Sequence, residues 1–151
     1  MCFYHQLNPE RIIVNIAATD QDEFLAVAAD YIGRLCPDVN GSTVHNALLE
    51  RERLGTTATG HQVAIPHCKM KKLQRAELFI FTTAEPLDFK SADGSMTQLF
   101  FVLLSPQHMV REHLQILAQI SRVARKAALV QSLIRSCSGQ QLLELLQSEL
   151  E

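Results

Sequence analysis

Apolar residues recur along this chain in two rhythms, one of period two and one of three to four. Between Arg11 and Ala17 they alternate as Ile12, Val14 and Ile16, the spacing of a short extended piece, after an irregular start that ends at Pro9. From Phe24 the spacing lengthens, and Phe24, Ala28, Ile32 and Leu35 fall on one face of a helix that Pro37 closes. Thr19 and Asp20 are residue types that cap helices, and Glu23 stands at capping-box distance from Asp20. Asn40-Gly41 marks a turn. Ser42 or Thr43 is then expected to cap a second helix carrying Val44, Ala47, Leu48 and Leu54 to a stop at Gly55.

Past Gly55 the pattern changes. Thr56 to Gly60 reads as a loop of small residues, followed by Val63-Ala64-Ile65, a short buried strand ended by Pro66. Ala76 to Thr83 predicts a second strand. Pro86, Asp93 and Gly94 punctuate a loop before Thr97 to Leu104, an almost unbroken apolar run. Such a run implies a strand covered on both faces. Beyond Pro106 the helical period returns: Val110, Leu114, Leu117 and Ser121 on one face, with Ile120 and Val123 beside it. Ala127 to Cys137 is a further helical stretch. Ser138 is placed to cap a last helix bearing Leu142, Leu143, Leu145, Leu146 and Leu150. The order of elements predicts an α/β or α+β sandwich, and 151 residues without a linker or repeat predict one domain over 1–151.

Composition narrows the function more than it names it. An apolar share of 47% with 20% charged residues excludes a disordered chain. Fourteen Lys and Arg against sixteen Asp and Glu leave a net charge of −2, so nothing in the overall charge announces nucleic acid. Leu99 to Leu104 is far short of the roughly 20 residues that cross a bilayer. Met1 to Glu10 lacks the basic start and apolar stretch of a secretory leader. The expectation is a cytoplasmic protein, neither membrane-inserted nor nucleic-acid-bound. Cys2, Cys36, Cys68 and Cys137 have no knuckle spacing and are expected reduced.

Six histidines carry the chemistry available near neutral pH: His5, His45, His61, His67, His108 and His113. His67 follows a strand and a stiff proline, so it should emerge at a strand end, where sites gather in helix-covered sheets. His113 lies in the first turns of a helix, whose dipole favours the neutral ring. Arg51 stands near the end of the second helix. A rim arginine or a helical histidine, taken alone, is more often a solvated side chain than a functional one. His5, His45 and His108 have no partner pattern and read as surface residues. A thiol nucleophile at Cys68 is disfavoured, because neighbours in an extended segment point to opposite faces, so His67 does not readily serve it and only His61 or His113 could. His61, His67, Cys68 and His113 offer zinc-type ligands, but without the compact spacing of zinc motifs.

Read as one segment, Arg51-Glu52-Arg53-Leu54-Gly55-Thr56-Thr57-Ala58-Thr59-Gly60-His61-Gln62-Val63-Ala64-Ile65-Pro66-His67 resembles a known signature. It is the phosphorylation-site pattern of the mannitol/fructose-type enzyme IIA domains of the bacterial phosphoenolpyruvate-dependent phosphotransferase system. The similarity is strongest to the nitrogen-regulatory branch, where R-E-x-x-G-[ST]-T leads to G-x-G-[IV]-A-[IL]-P-H. It continues through Asp93-Gly94, the strand at Leu99 to Leu104, Ser105-Pro106, His113-Leu114 and the terminal leucine-rich helix.

The resemblance implies a mixed β-sheet sandwiched between helices. It implies that His67 accepts a phosphoryl group at its tele nitrogen, that His113 hydrogen-bonds the imidazole or its phosphate, and that Arg51 steadies phosphate oxygens. It implies no cofactor and no metal. The partners it implies are an HPr-like phosphocarrier as donor and unidentified regulated proteins, with a homodimer left open. A sugar-specific IIA subunit feeding a IIB domain and a non-catalytic binding module are the competing readings. This chain departs from the pattern at Gln62 and Cys68, where glycines are common, which puts the shape of the site's rim in question.

Overall fold

In the computed structural model, which describes residues 3–150, β5 (Glu77–Leu87) and β6 (Thr97–Pro106) form an antiparallel pair at the centre of the molecule. Their register sets Phe79 opposite Val102 and Phe81 opposite Phe100, with Ile80 and Phe101 on the other face. Both faces are therefore apolar, which is why these strands read as continuous hydrophobic runs. β1 (Ile12–Ile16) adds in parallel to the outer edge of β5. On the far side of β6 lie β3 (Val63–Ala64) and β4 (His67–Met70), both parallel to it, and β2 (Ala58–Gly60) closes that edge as an antiparallel partner of β3.

Helices cover both faces. α1 (Gln21–Leu35) and α2 (Gly41–Arg53) pack on one side, where Phe24 stacks on Phe100 with ring centroids 3.8 Å apart and meets Phe81 edge to face. Burying a phenylalanine this completely stabilises the fold by roughly 2–3 kcal/mol. α3 (Val110–Ala124), α4 (Ala127–Ile134) and α5 (Gly139–Leu150) cover the opposite face with Ile120, Val130, Leu133, Leu142 and Leu146. The mixed sheet between helices is thus the architecture expected. Among the described residues no helix is long and apolar enough to cross a membrane.

Several local readings are corrected. Asn40, not Ser42 or Thr43, caps α2: its side chain accepts from the amides of Ser42 and Thr43, because the turn places its oxygen over the first free N–H groups. The box at α1 is split between neighbours, Asp20 accepting from the Glu23 amide while the Glu23 carboxylate accepts from the Thr19 amide. Leu54 follows the end of α2 and is 86% exposed instead of packed. On α3 the apolar face begins elsewhere: Val110 and Leu114 are exposed, while His113, Ile120, Val123 and Ala124 are buried. β5 runs on through Pro86 to Leu87 by way of a register irregularity, and α4 stops at Ile134, short of Cys137. Ser138 does cap α5, accepting from the Gln141 amide. Cys36, Cys68 and Cys137 are free thiols, the first two buried; Cys2 and the side chain of His5 lie outside the described residues.

Candidate functional site

The segment from Gly55 to Met70 holds more structure than a small-residue loop suggests. Gly60, His61, Gln62 and Val63 make a tight hairpin turn in which both central residues are left-handed, His61 at φ 56° and Gln62 at φ 73°. A glycine would take that conformation without strain, which accounts for the glycine common at position 62. This chain keeps the turn with glutamine, and the Gln62 carbonyl accepts from the amides of Gln98 and Leu99. Gly60 cannot be replaced so easily: a Cβ there would sit 2.5 Å from Asp93, whose carboxylate also accepts from the His61 amide.

β3 and β4 then run as a single interrupted strand. Val63 pairs with Leu99, Ala64 with Phe100, His67 with Leu103 and Cys68 with Leu104, one register throughout. The interruption is Ile65-Pro66. The Ile65 amide donates to Thr57, the last contact that the β2 side offers, and Pro66 has no N–H left to satisfy. From His67 onward β4 lies at the sheet's edge. His67 therefore opens a strand partway along the sheet, where a strand end was expected. Its exposure comes from the departure of β2.

Alternation decides what faces what. Cys68 turns into the core beneath α1 and α2, with its sulfur 3.9 Å from that of Met70, and burial pushes its thiol up to about 12. His67 and Lys69 face the other way. The Nδ1 of His67 lies 2.7 Å from the carbonyl oxygen of Ile65. A carbonyl can only accept, so Nδ1 carries the proton and Nε2 presents its lone pair. Arg51, in the last turn of α2, donates from Nε to that nitrogen at 3.3 Å and from a terminal nitrogen to the Gly55 carbonyl at 2.8 Å. Glu52 steadies the same corner by accepting from the amide and hydroxyl of Thr57; burial raises its carboxyl above the ordinary range, and the Thr57 bonds oppose that rise.

His113 comes from α3 on the same side of the sheet. Its ring centroid is 5.3 Å from that of His67, and its Nδ1 lies 2.7 Å from the buried hydroxyl of Ser105 in β6. It is 5% exposed, a buried residue where a solvated one was the bland expectation. Burial first, then the nearby His67 and Lys69, lowers its imidazole to about 4. Burial also lowers His67, partly countered by the Ile65 carbonyl, with Arg51 and Lys69 adding to the fall. Both rings are neutral at physiological pH.

The structure thus brings Arg51, His67 and His113 together. It does not bring in the alternative metal set: Cys68 lies across the strand, His61 sits exposed at the hairpin turn, and among the described residues no three His, Cys, Asp or Glu converge as metal ligands. His108 is exposed and His45 half-buried on α2. Two residues escaped sequence reasoning. Lys69 shares the face of His67 through the period of two, a signal available in the sequence once β4 is drawn. Ser105 meets His113 only through tertiary packing.

An anion seated at His67 Nε2 would meet a planar guanidinium and a second ring nitrogen, beside the charge of Lys69. That set suits a phosphoryl group. The family model described as phosphoenolpyruvate-dependent sugar phosphotransferase system, EIIA 2, matches residues 5–149. The chain is 38% identical over 136 residues to a nitrogen regulatory protein of Bradyrhizobium diazoefficiens, covering 87% of this chain and 86% of that protein. With a nitrogen regulatory protein of Pseudomonas aeruginosa it shares 34% identity over 121 residues, 80% and 79% of the two chains. The crystal structure of nitrogen regulatory protein IIA-Ntr from Neisseria meningitidis matches with a TM-score of 0.88 at 26% identity, over 95% of this chain and 97% of that one. This chain belongs to the EIIA 2 family of the phosphotransferase system.

Proposed function

We propose, from that membership, that the protein is a phosphocarrier of the nitrogen-regulatory IIA kind. It takes a phosphoryl group onto His67 from the phosphohistidine of an HPr-like protein in the cytoplasm and acts on partner proteins according to whether it carries phosphate. Residues 1–151 are read as one domain of this type. The observation that carries the reading is the convergence of Arg51 and His113 on a His67 ring whose Nδ1 is committed to the Ile65 carbonyl.

The chemistry follows from that geometry. The lone pair of Nε2 attacks phosphorus in line as the donor's P–N bond breaks, and the electron pair of that bond stays with the donor nitrogen. The proton on Nδ1 remains where it is. Positive charge developing on the ring is met by the Ile65 carbonyl dipole, already in place before reaction. Arg51 must leave the lone pair as phosphorus arrives, and its guanidinium then turns to the phosphoryl oxygens while the Gly55 contact keeps it close. Positioning and charge stabilisation are most of what phosphoryl transfer asks of a protein.

The test is incubation with phosphoenolpyruvate, enzyme I and an HPr-type donor, followed by intact mass measurement. The expected result is one added phosphate, lost in mild acid and absent from a His67→Ala variant. No mass gain with several competent donors, or a gain that survives the substitution, overturns the reading.

A further inference from the structure

The two imidazoles of the site are held by different kinds of partner, and the difference has a chemical consequence. His67 Nδ1 faces a carbonyl oxygen, which accepts and never donates. His113 Nδ1 faces the hydroxyl of Ser105 at 2.7 Å, and a hydroxyl can do either. Burial removes the ambiguity. Ser105 has no exposed surface, and among the described residues the ring of His113 is the one hydrogen-bond partner of its side chain. Were Nδ1–H to donate to the serine oxygen, the hydroxyl proton would be left buried without an acceptor, an arrangement proteins avoid. With the hydroxyl donating to Nδ1, both groups are satisfied.

We propose that Ser105 is a positioning residue that holds His113 as its Nε2–H tautomer, so that the site offers one ring lone pair, on His67, and one ring N–H, on His113, to the same anion. This rests on the phosphocarrier reading for its purpose, though not for its geometry. With Nδ1 engaged by Ser105, Nε2 is the nitrogen of His113 left to the pocket. In the opposite tautomer it would turn a lone pair toward phosphate oxygens and repel them. The two rings are set in complementary roles by the residues behind them, Ile65 and Ser105.

The experiment labels the histidines with nitrogen-15 and reads their tautomers by two-bond proton–nitrogen correlation in the unphosphorylated protein, His113 being assigned by comparison with His113→Gln. Wild type should show a protonated Nε2 and an unprotonated, hydrogen-bonded Nδ1 on His113. In Ser105→Ala the Nδ1 resonance should lose the displacement due to the accepted bond, and phosphoryl acceptance should slow about three- to tenfold, the worth of one such bond. Ser105→Thr, which keeps the hydroxyl, should retain the wild-type pattern. A protonated Nδ1 on His113 in wild type overturns the proposal, and so does a Ser105→Ala variant with unchanged spectrum and rate. Should Ser105→Ala not fold, the wild-type spectrum decides. Should wild type take no phosphate, the phosphocarrier reading falls while the tautomer is still judged from that same spectrum.

Discussion

The Nε of Arg51 lies 3.3 Å from Nε2 of His67, so the cation suited to receive phosphate oxygens rests beforehand on the lone pair that would attack phosphorus. The ring is aimed by two contacts on opposite nitrogens and kept neutral chiefly by burial, and the proposed transfer requires the Arg51 contact to break.

Arg51→Ala should therefore leave a competent nucleophile in a poorer cradle. Transfer to His67 is expected to fall roughly a hundredfold, the usual cost of removing one preorganised donor from such a site. Stability should drop by no more than about 1 kcal/mol, because the guanidinium is partly solvated and its Gly55 contact is a single hydrogen bond. Rapid-quench transfer rates and a urea titration check the two halves separately. A collapse of the fold would make Arg51 structural.

Acid should weaken the folded state through the histidine pair. His113 is lowered from 6.5 to about 4 on folding, so between those pH values the unfolded chain binds the proton that the folded chain refuses. Stability is then full above about pH 6.5 and declines as pH falls toward 4. His67, also lowered, acts in the same direction. Urea midpoints across this range should fall with pH in wild type and fall less in His113→Gln. Equal slopes would show that the ring is not protected.

Lys69 is expected to tune His67 without touching it. Its charge contributes to the lowered imidazole, so Lys69→Ala should raise the His67 titration measured by proton NMR and slow phosphoryl acceptance modestly. An unmoved titration would remove Lys69 from the site's electrostatics.

Gln62→Gly should stabilise the protein. The left-handed backbone at φ 73° costs a non-glycine residue about 1–2 kcal/mol, against the roughly 0.5–1 kcal/mol that glycine loses in chain entropy. A net gain of about 0.5–1 kcal/mol in chemical denaturation is expected. Cys68→Gly, the other return to a common glycine, should do the reverse by about 1–2 kcal/mol, since it removes a buried side chain packed in the core.

Thiol alkylation of the native protein should separate the cysteines. Exposed Cys137 should react rapidly, whereas Cys68, its thiol pushed up to about 12 by burial, should resist until the chain is unfolded. Peptide mapping identifies the modified positions. Early labelling of Cys68 would mean that β4 opens readily.

Periodicity alone drew most of the scaffold. The apolar run of β6 and the three-to-four spacing of α1 each reflect burial imposed by one repeating geometry, and repetition makes a signal legible. The alternation at Ile12 and Val14 located β1, but the left-handed Asn15 breaks its period and Ile16 packs in the opposite layer. β2 and β4 escaped because three or four residues are too few to show a period and, unlike Val63-Ala64-Ile65, neither is an unbroken apolar run. The face of α3 was misread for a related reason. Val110 and Leu114 are apolar, yet the sheet lies nearer His113, and helical spacing cannot say which of two adjacent stripes meets it.

The order of residues from Arg51 to His67, with His113 beyond, determined by itself which side chains stand as candidates for the chemistry. Tertiary structure alone decided their states. Which nitrogen of each ring bears a proton depends on the carbonyl of Ile65 and the hydroxyl of Ser105. How far each ring resists protonation depends on the depth of its burial. A hydrogen bond reaches about 3 Å and desolvation acts through immediate neighbours, so both are fixed by the packing of strands and helices distant in the chain.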